Sequence, residues 1–132
     1  MKYWDPLRKK EVAATPEEKV RQWFISTLRD SFKVPEHMMM SETGFTFGKK
    51  RYRADILVFD RAGKPLAVVE CKAPDVELSG ETARQAMRYN AVLDVRFVVL
   101  TNGNSTLAFA RQGGVFRPIR TLPLYEQMLC LQ

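Results

Sequence analysis

The chain has 132 residues, 45% of them apolar and 27% charged, the profile of one ordinary globular domain whose core removes roughly two-thirds of the unfolded chain's surface from water. These figures exclude a disordered tail, a disulfide-stapled miniprotein and a multidomain machine, an ATP-driven motor included. Twenty-one Lys and Arg against fifteen Asp and Glu leave a formal charge of +6, which favours a polyanionic partner without identifying one.

Residues 1–14 carry mixed charge without a clear period, so an arm is expected there, lying on a single domain of residues 15–132. Thr15-Pro16-Glu17-Glu18 starts a helix: Thr15 suits the cap, Pro16 the first helical position, and Glu18 completes a capping box. Val20, Phe24, Leu28 and Phe32 follow four apart with Trp23 beside them, an amphipathic stripe that puts Trp23 in the core. Val34-Pro35 ends the helix. His37 is expected at the surface, and Met38-Met39-Met40 as core or strand filler, at the start of an extended stretch over 37–47. Gly48-Lys49-Lys50-Arg51 reads as a turn and Tyr52 to Phe59 as a strand. After the turn at 60–65, Leu66 to Lys72 forms the next strand. A helix is predicted from about Ser79 to about Leu93, then a buried strand Val95 to Thr101, a strand Thr106 to Arg111, one more short strand, and a C-terminal helix around Leu124 to Leu129.

The strand–helix–strand segment from Leu66 to Thr101 should be a right-handed parallel crossover. The earlier strands, joined by short turns, should be antiparallel. The expected fold is α/β (α+β), a mixed central sheet flanked by helices. Cys71 and Cys130 form no CxxC, and His37 is the single histidine, which argues against a zinc site. With no apolar leader and no apolar run of spanning length, a reduced, cytoplasmic, membrane-free protein is expected.

Three residues do not belong in ordinary strands: Asp55, Glu70 and Lys72. Side chains alternate along a strand, so Glu70 and Lys72 share a face. A symmetric hairpin about the turn 60–65 sets Phe59 opposite Leu66, Leu57 opposite Val68, and Asp55 opposite Glu70. Two carboxylates so placed are about 5 Å apart at Cβ and repel. Something cationic must compensate, either Lys72 or a divalent metal on oxygen ligands. Asp55 and Glu70 would hold Mg²⁺ or Mn²⁺, with the backbone carbonyl of Cys71 as a further ligand. Such a metal lowers the pKa of a bound water and neutralises phosphate charge. Lys72 would orient or deprotonate the attacking water and stabilise a phosphorane-like transition state. The basic run Lys49, Lys50, Arg51 with Arg53 close behind is either a solvated loop or a phosphate-contacting surface beside the site. No base-reading element is evident, so little sequence specificity is expected.

Asp-x14-Glu-x-Lys across two adjacent strands resembles the PD-(D/E)xK nuclease superfamily. The wider text narrows the resemblance: Thr15-Pro16-Glu17-Glu18-Lys19-Val20-Arg21-Gln22, Arg53-Ala54-Asp55-Ile56-Leu57-Val58, Val69-Glu70-Cys71-Lys72-Ala73-Pro74 and Gln85-x3-Tyr89-Asn90. Together they are similar to the N-terminal nuclease domain of type I restriction enzyme R (HsdR) subunits and its small standalone relatives, over about residues 15–111. The resemblance implies a restriction-endonuclease-like αβββαβ core and a Mg²⁺-dependent endonuclease acting on DNA. It makes Asp55, Glu70 and Lys72 the cleavage residues. Glu18 matches an acidic residue that reaches the metal in this superfamily. Gln85, a catalytic-motif position, and Tyr89, a DNA contact, match the Gln-x3-Tyr element, and at i and i+4 they share a helical face. Ala54 stands where the motif's name has proline. The implied partners are DNA, other restriction–modification subunits and a second copy of the chain. A non-catalytic DNA-binding or subunit-docking module with the same fold, and a resolvase-like nuclease for branched DNA, are the alternatives.

Overall fold

The structure, a computed structural model, describes residues 1–88 and 93–131. The expected N-terminal arm is a two-stranded antiparallel hairpin, β1 (Lys2–Asp5) and β2 (Lys10–Ala13). A buried carboxylate helps to hold this short ribbon down. Asp5 accepts hydrogen bonds from the Leu7 and Arg8 amides (2.7 and 3.0 Å), from Arg8 Nε (2.5 Å) and from Ser41 Oγ (2.9 Å).

Helix α1 (Pro16–Asp30) starts where its cap signals place it, with Thr15 Oγ1 accepting the Glu18 amide at 3.0 Å. Only half of the predicted capping box forms. The Thr15 amide donates to Ala13 O, and the Glu18 carboxylate turns away to arginines. Val20, Phe24, Ile25 and Leu28 are buried along one stripe. Trp23, expected in the core, is 45% exposed. It sits one residue off that stripe, so it covers Phe24 edge-on, with ring centroids 5.6 Å apart, from the outside. A 3-10 turn (Glu36–Met38) then leads into the sheet, and His37 is exposed as expected.

Six strands follow: β3 (Met39–Phe47), β4 (Lys50–Phe59), β5 (Pro65–Cys71), β6 (Phe97–Thr101), β7 (Thr106–Gln112) and β8 (Val115–Ile119), in that spatial order. All neighbours are antiparallel except β5 and β6. Helix α2 (Gly80–Met87), capped by Ser79 and Thr82, lies between that parallel pair in sequence. This is the expected mixed sheet with an αβββαβ core. The predicted extension of α2 towards Leu93 crosses residues 89–92, which lie outside the described residues. Helix α3 (Tyr125–Cys130) closes the chain, and its Tyr125 hydroxyl donates to Phe59 O at 2.7 Å.

The core lies on both faces of the sheet. One cluster joins Phe24, Ile25 and Leu28 of α1 and Tyr125 and Met128 of α3 to Ile56, Val58, Val69 and Val99. A smaller one joins Ala86 of α2 to Leu57, Val68 and Val98. Strands β4 and β5 are interior, which explains their near-continuous apolar text. Leu57 faces Val68 as predicted, but Phe59 faces Pro65 rather than Leu66, because the register shifts between Val58 and Phe59. No helix among the described residues is long and apolar enough to cross a membrane. Cys71 and Cys130 are free thiols.

Candidate functional site

The paired register of β4 and β5 runs to Ile56–Val69. Just beyond it the Asp55 carboxylate makes the connection, its Oδ2 accepting the Cys71 amide at 2.7 Å. Asp55 is thereby fixed against the end of β5, where Glu70, Cys71 and Lys72 follow one another. Lys72 Nζ lies 3.6 Å from Glu70 Oε1, while Glu70 Oε2 is buried with no hydrogen-bond partner. Burial pushes the Glu70 carboxyl above its ordinary range; the Lys72 ammonium draws it down and the Asp55 charge pushes it up. The Asp55 and Glu70 carboxylates are therefore close enough to act on each other. The Cys71 thiol is buried, and burial followed by the Asp55 charge pushes it well up, so it is no nucleophile.

The other oxygen of Asp55 is held from α1. Arg21 Nη2 donates to Asp55 Oδ1 at 2.8 Å, and the same nitrogen lies 2.5 Å from Glu42 Oε1 and 3.5 Å from Glu17 Oε1. Arg21 Nη1 donates to Glu18 Oε1 at 2.6 Å. Glu18 is fully engaged: Arg8 Nη2 also reaches its Oε1 at 2.8 Å, and Gln22 Nε2 its Oε2 at 3.0 Å. Glu18 thus meets Asp55 through a shared arginine. Arg8, Glu17, Glu18, Arg21, Glu42 and Ala73 line one open cleft there, with the N-terminal hairpin as a wall.

Sequence reasoning missed Arg21, Glu17 and Glu42. Glu17 and Glu18 lie four and three residues before Arg21, a spacing that hinted at the pairing. Glu42 gave no such signal. It reaches the site because Ser41 pairs with Ile56 and Thr43 with Ala54, which brings the residue between them level with Asp55. Glu42 has φ +50°, an uncommon left-handed conformation in a strand.

Lys49, Lys50, Arg51 and Arg53 are exposed on the β3–β4 hairpin. Lys50 Nζ stands 5.3 Å over the Tyr52 ring. Arg53 Nη1 lies 3.1 Å from Glu42 Oε2, so this basic strand joins the cleft through the carboxylate that also holds Arg21. Gln85 is exposed on α2, and no contact among the described residues ties it to Asp55, Glu70 or Lys72. Tyr89 lies outside the described residues.

Residues 16–123 match the family model of the type I restriction enzyme R protein N terminus (HSDR_N). The chain belongs to this family. Within it, the chain is 45% identical over 51 residues to the type I restriction enzyme EcoAI endonuclease subunit of Escherichia coli, a stretch that is 39% of this chain and 6% of that protein. The fold is similar to a fragment assigned to the HsdR subunit of a type I restriction enzyme from Vibrio vulnificus YJ016, with TM-score 0.66 and 23% identity over 86% of this chain and 25% of the other. It is also similar to a DUF820 protein from Anabaena variabilis ATCC 29413 assigned as a nuclease, with TM-score 0.56 and 13% identity over 99% of this chain and 84% of the other. This HSDR_N chain thus spans a small part of the curated relative it matches, and it has a nuclease-like fold.

The donor chemistry fits a hard divalent cation. Glu70 Oε2 is a buried acceptor without a donor. Among the described residues no three His, Cys, Asp or Glu side chains form a ready-made cage. Mg²⁺ is commonly held by one or two carboxylates and several waters, and carboxylate oxygen is the donor type that Asp55 and Glu70 offer.

Proposed function

We propose that this HSDR_N chain is a metal-dependent DNA endonuclease domain that hydrolyses phosphodiester bonds with an activated water. The observation that carries the reading is the juxtaposition of Asp55, orphaned Glu70 and Lys72 where β4 and β5 part, in a chain of this family. Asp55, Glu70 and the Cys71 carbonyl would hold Mg²⁺ or Mn²⁺, which when bound acidifies water and offsets phosphate charge. Asp55 reaches that task already oriented, each oxygen fixed by one hydrogen bond and each keeping a lone pair free. Lys72, beside Glu70, orients the attacking water, holds or accepts its proton, and faces the charge that develops on phosphorus. Glu18 serves through Arg21 in this reading rather than as a direct ligand. Lys49, Lys50, Arg51 and Arg53 contact phosphates and give affinity without sequence preference. Gln85 and Tyr89 act along the DNA backbone once substrate is bound. DNA and other restriction–modification subunits are the proposed partners, with pairing of two copies as the route to cutting both strands.

The test is nicking of supercoiled plasmid in Mg²⁺ or Mn²⁺ by the wild type and by Lys72→Ala. The expected loss in Lys72→Ala is at least about a hundredfold, in the range of removing one general acid–base group. Equal nicking by both proteins, or none by either in any metal, overturns the reading. Salt-sensitive DNA binding that survives Asp55→Ala, without cleavage, would instead mark a binding or docking module.

A further inference from the structure

We infer that Arg21 is the resident counter-cation of the carboxylate cluster, holding it together without metal and thereby lowering its affinity for divalent cations. The inference rests on the metal-site reading of Asp55 and Glu70. Arg21 is a positioning residue, because it acts on the reaction only through Asp55. Its side chain is 5% exposed, yet its two terminal nitrogens contact four carboxylates, those of Glu17, Glu18, Glu42 and Asp55. Its Nε is buried and has no partner, so the guanidinium is committed to these carboxylates and to nothing behind it. Side-chain exposure falls from Glu17 at 49% through Glu42 at 21% and Asp55 at 14% to Glu18 at 7%. Carboxylates crowded this closely repel one another unless a cation lies among them.

Arg21 supplies that cation and costs metal affinity. A guanidinium hydrogen-bonded to a carboxylate repels a divalent ion arriving on the same carboxylate. At about 5–7 Å, and even with the screening of water, that repulsion is worth roughly tenfold in affinity. Orientation works the other way, but Asp55 keeps its second anchor, the Cys71 amide. Removing the charge should therefore win over loosening one of two hydrogen bonds.

The experiment is Mn²⁺ binding followed by electron paramagnetic resonance, with melting curves in EDTA, on the full chain. The variants are Arg21→Met, Arg21→Lys, Glu42→Gln and Asp55→Asn. Arg21→Met should melt at least about 5 °C lower in EDTA and bind Mn²⁺ about tenfold more tightly. Arg21→Lys keeps the charge but cannot reach four carboxylates from a fork, so its Mn²⁺ affinity should stay within about threefold of the wild type. Glu42→Gln removes a competitor for Arg21 and should weaken Mn²⁺ binding; it decides the matter if Arg21→Met fails to fold without metal. Mn²⁺ binding that is lost in Asp55→Asn but is equal or weaker in Arg21→Met, or unchanged or stronger in Glu42→Gln, overturns this inference and leaves the metal site standing. Absence of Asp55-dependent Mn²⁺ binding in the wild type overturns both.

Discussion

Replacing Glu70 with Gln should stabilise the metal-free domain. Glu70 sits on an interior strand with its side chain 19% exposed, and its Oε2 is buried without a donor. Burial pushes this carboxyl up from its ordinary value of 4.5, against the pull of Lys72 and with the push of Asp55. The sign follows from that direction. A carboxyl raised in the folded state favours folding while protonated, so its contribution is full below the unfolded value and is lost as pH rises through the folded one. At neutral pH the ionised group opposes folding. Gln removes the charge at nearly constant volume and brings donors of its own. The unsatisfied buried acceptor costs roughly 1–3 kcal/mol. The partly exposed Lys72 pair at 3.6 Å gives back less than about 1 kcal/mol. The net gain is about 1 kcal/mol, or roughly 2–5 °C in melting temperature for a domain this size. Circular-dichroism melts in EDTA measure it. The gain should be present near pH 7.5 and shrink as pH falls through the raised folded-state value towards the ordinary 4.5. Under the metal reading, Mg²⁺ reverses the order, stabilising the wild type and not the variant. A Gln variant that melts below the wild type in EDTA at neutral pH would refute the account of Glu70 as an unsatisfied acceptor.

Two further outcomes test the supports of the site. Asp5→Ala strands the Ser41 hydroxyl and the Leu7 and Arg8 amides, leaves Arg8 with Glu18 as its remaining carboxylate, and should cost about 2–3 kcal/mol in urea unfolding. Burial alone would raise the Asp5 carboxyl, but hydrogen bonds from Arg8, Ser41 and Leu7 outweigh it and hold it below 3.8. Its stabilisation is therefore present above the unfolded value and lost as pH falls through the folded one, so the gap between variant and wild type should narrow below about pH 4. Tyr125→Phe deletes only the hydroxyl that donates to Phe59 O. About 1 kcal/mol of stability should go, with no change in the response to Mn²⁺, because α3 does not reach the cluster.

Most of the fold was legible because its signals are local. Thr15-Pro16 starts α1, Ser79 caps α2, and apolar runs bounded by turn residues mark β4, β5 and β6. The parallel pairing of β5 and β6 followed from the strand–helix–strand order. The failures are tertiary. Trp23 lies one helical position off the buried stripe, and only the docking angle of α1 leaves it outside. The β1–β2 hairpin has four residues per strand and mixed charge, so nothing local announces it. Its order comes from Asp5 reaching Ser41, thirty-six residues away. The site divides the same way. Asp55 and Glu70 could be brought near each other from the hairpin register, because the apolar match of Leu57 with Val68 holds despite the shift beside the turn. Arg21 and Glu42 could not. They depend on how a helix lies on a sheet and on a second hairpin, and sequence spacing encodes neither.

The distribution of charge is where the sequence misleads most. The chain carries +6 overall, yet carboxylates crowd around Arg21. Glu17, Glu18, Glu42, Asp55 and Glu70 gather around Arg21 and Lys72, while Arg8 and Arg53 serve the cleft only through shared contacts. The rest of the basic excess lies elsewhere, part of it on the exposed β3–β4 hairpin. A phosphodiester drawn to that hairpin by the net charge meets, next door, carboxylates that repel it. Net charge therefore bears on encounter, and local charge on chemistry. In the proposed metal-site reading a further cation reconciles the two, and among the described residues Glu70 Oε2 is the carboxylate oxygen that is buried without a donor. This local excess of carboxylates is the charge argument behind the proposed metal.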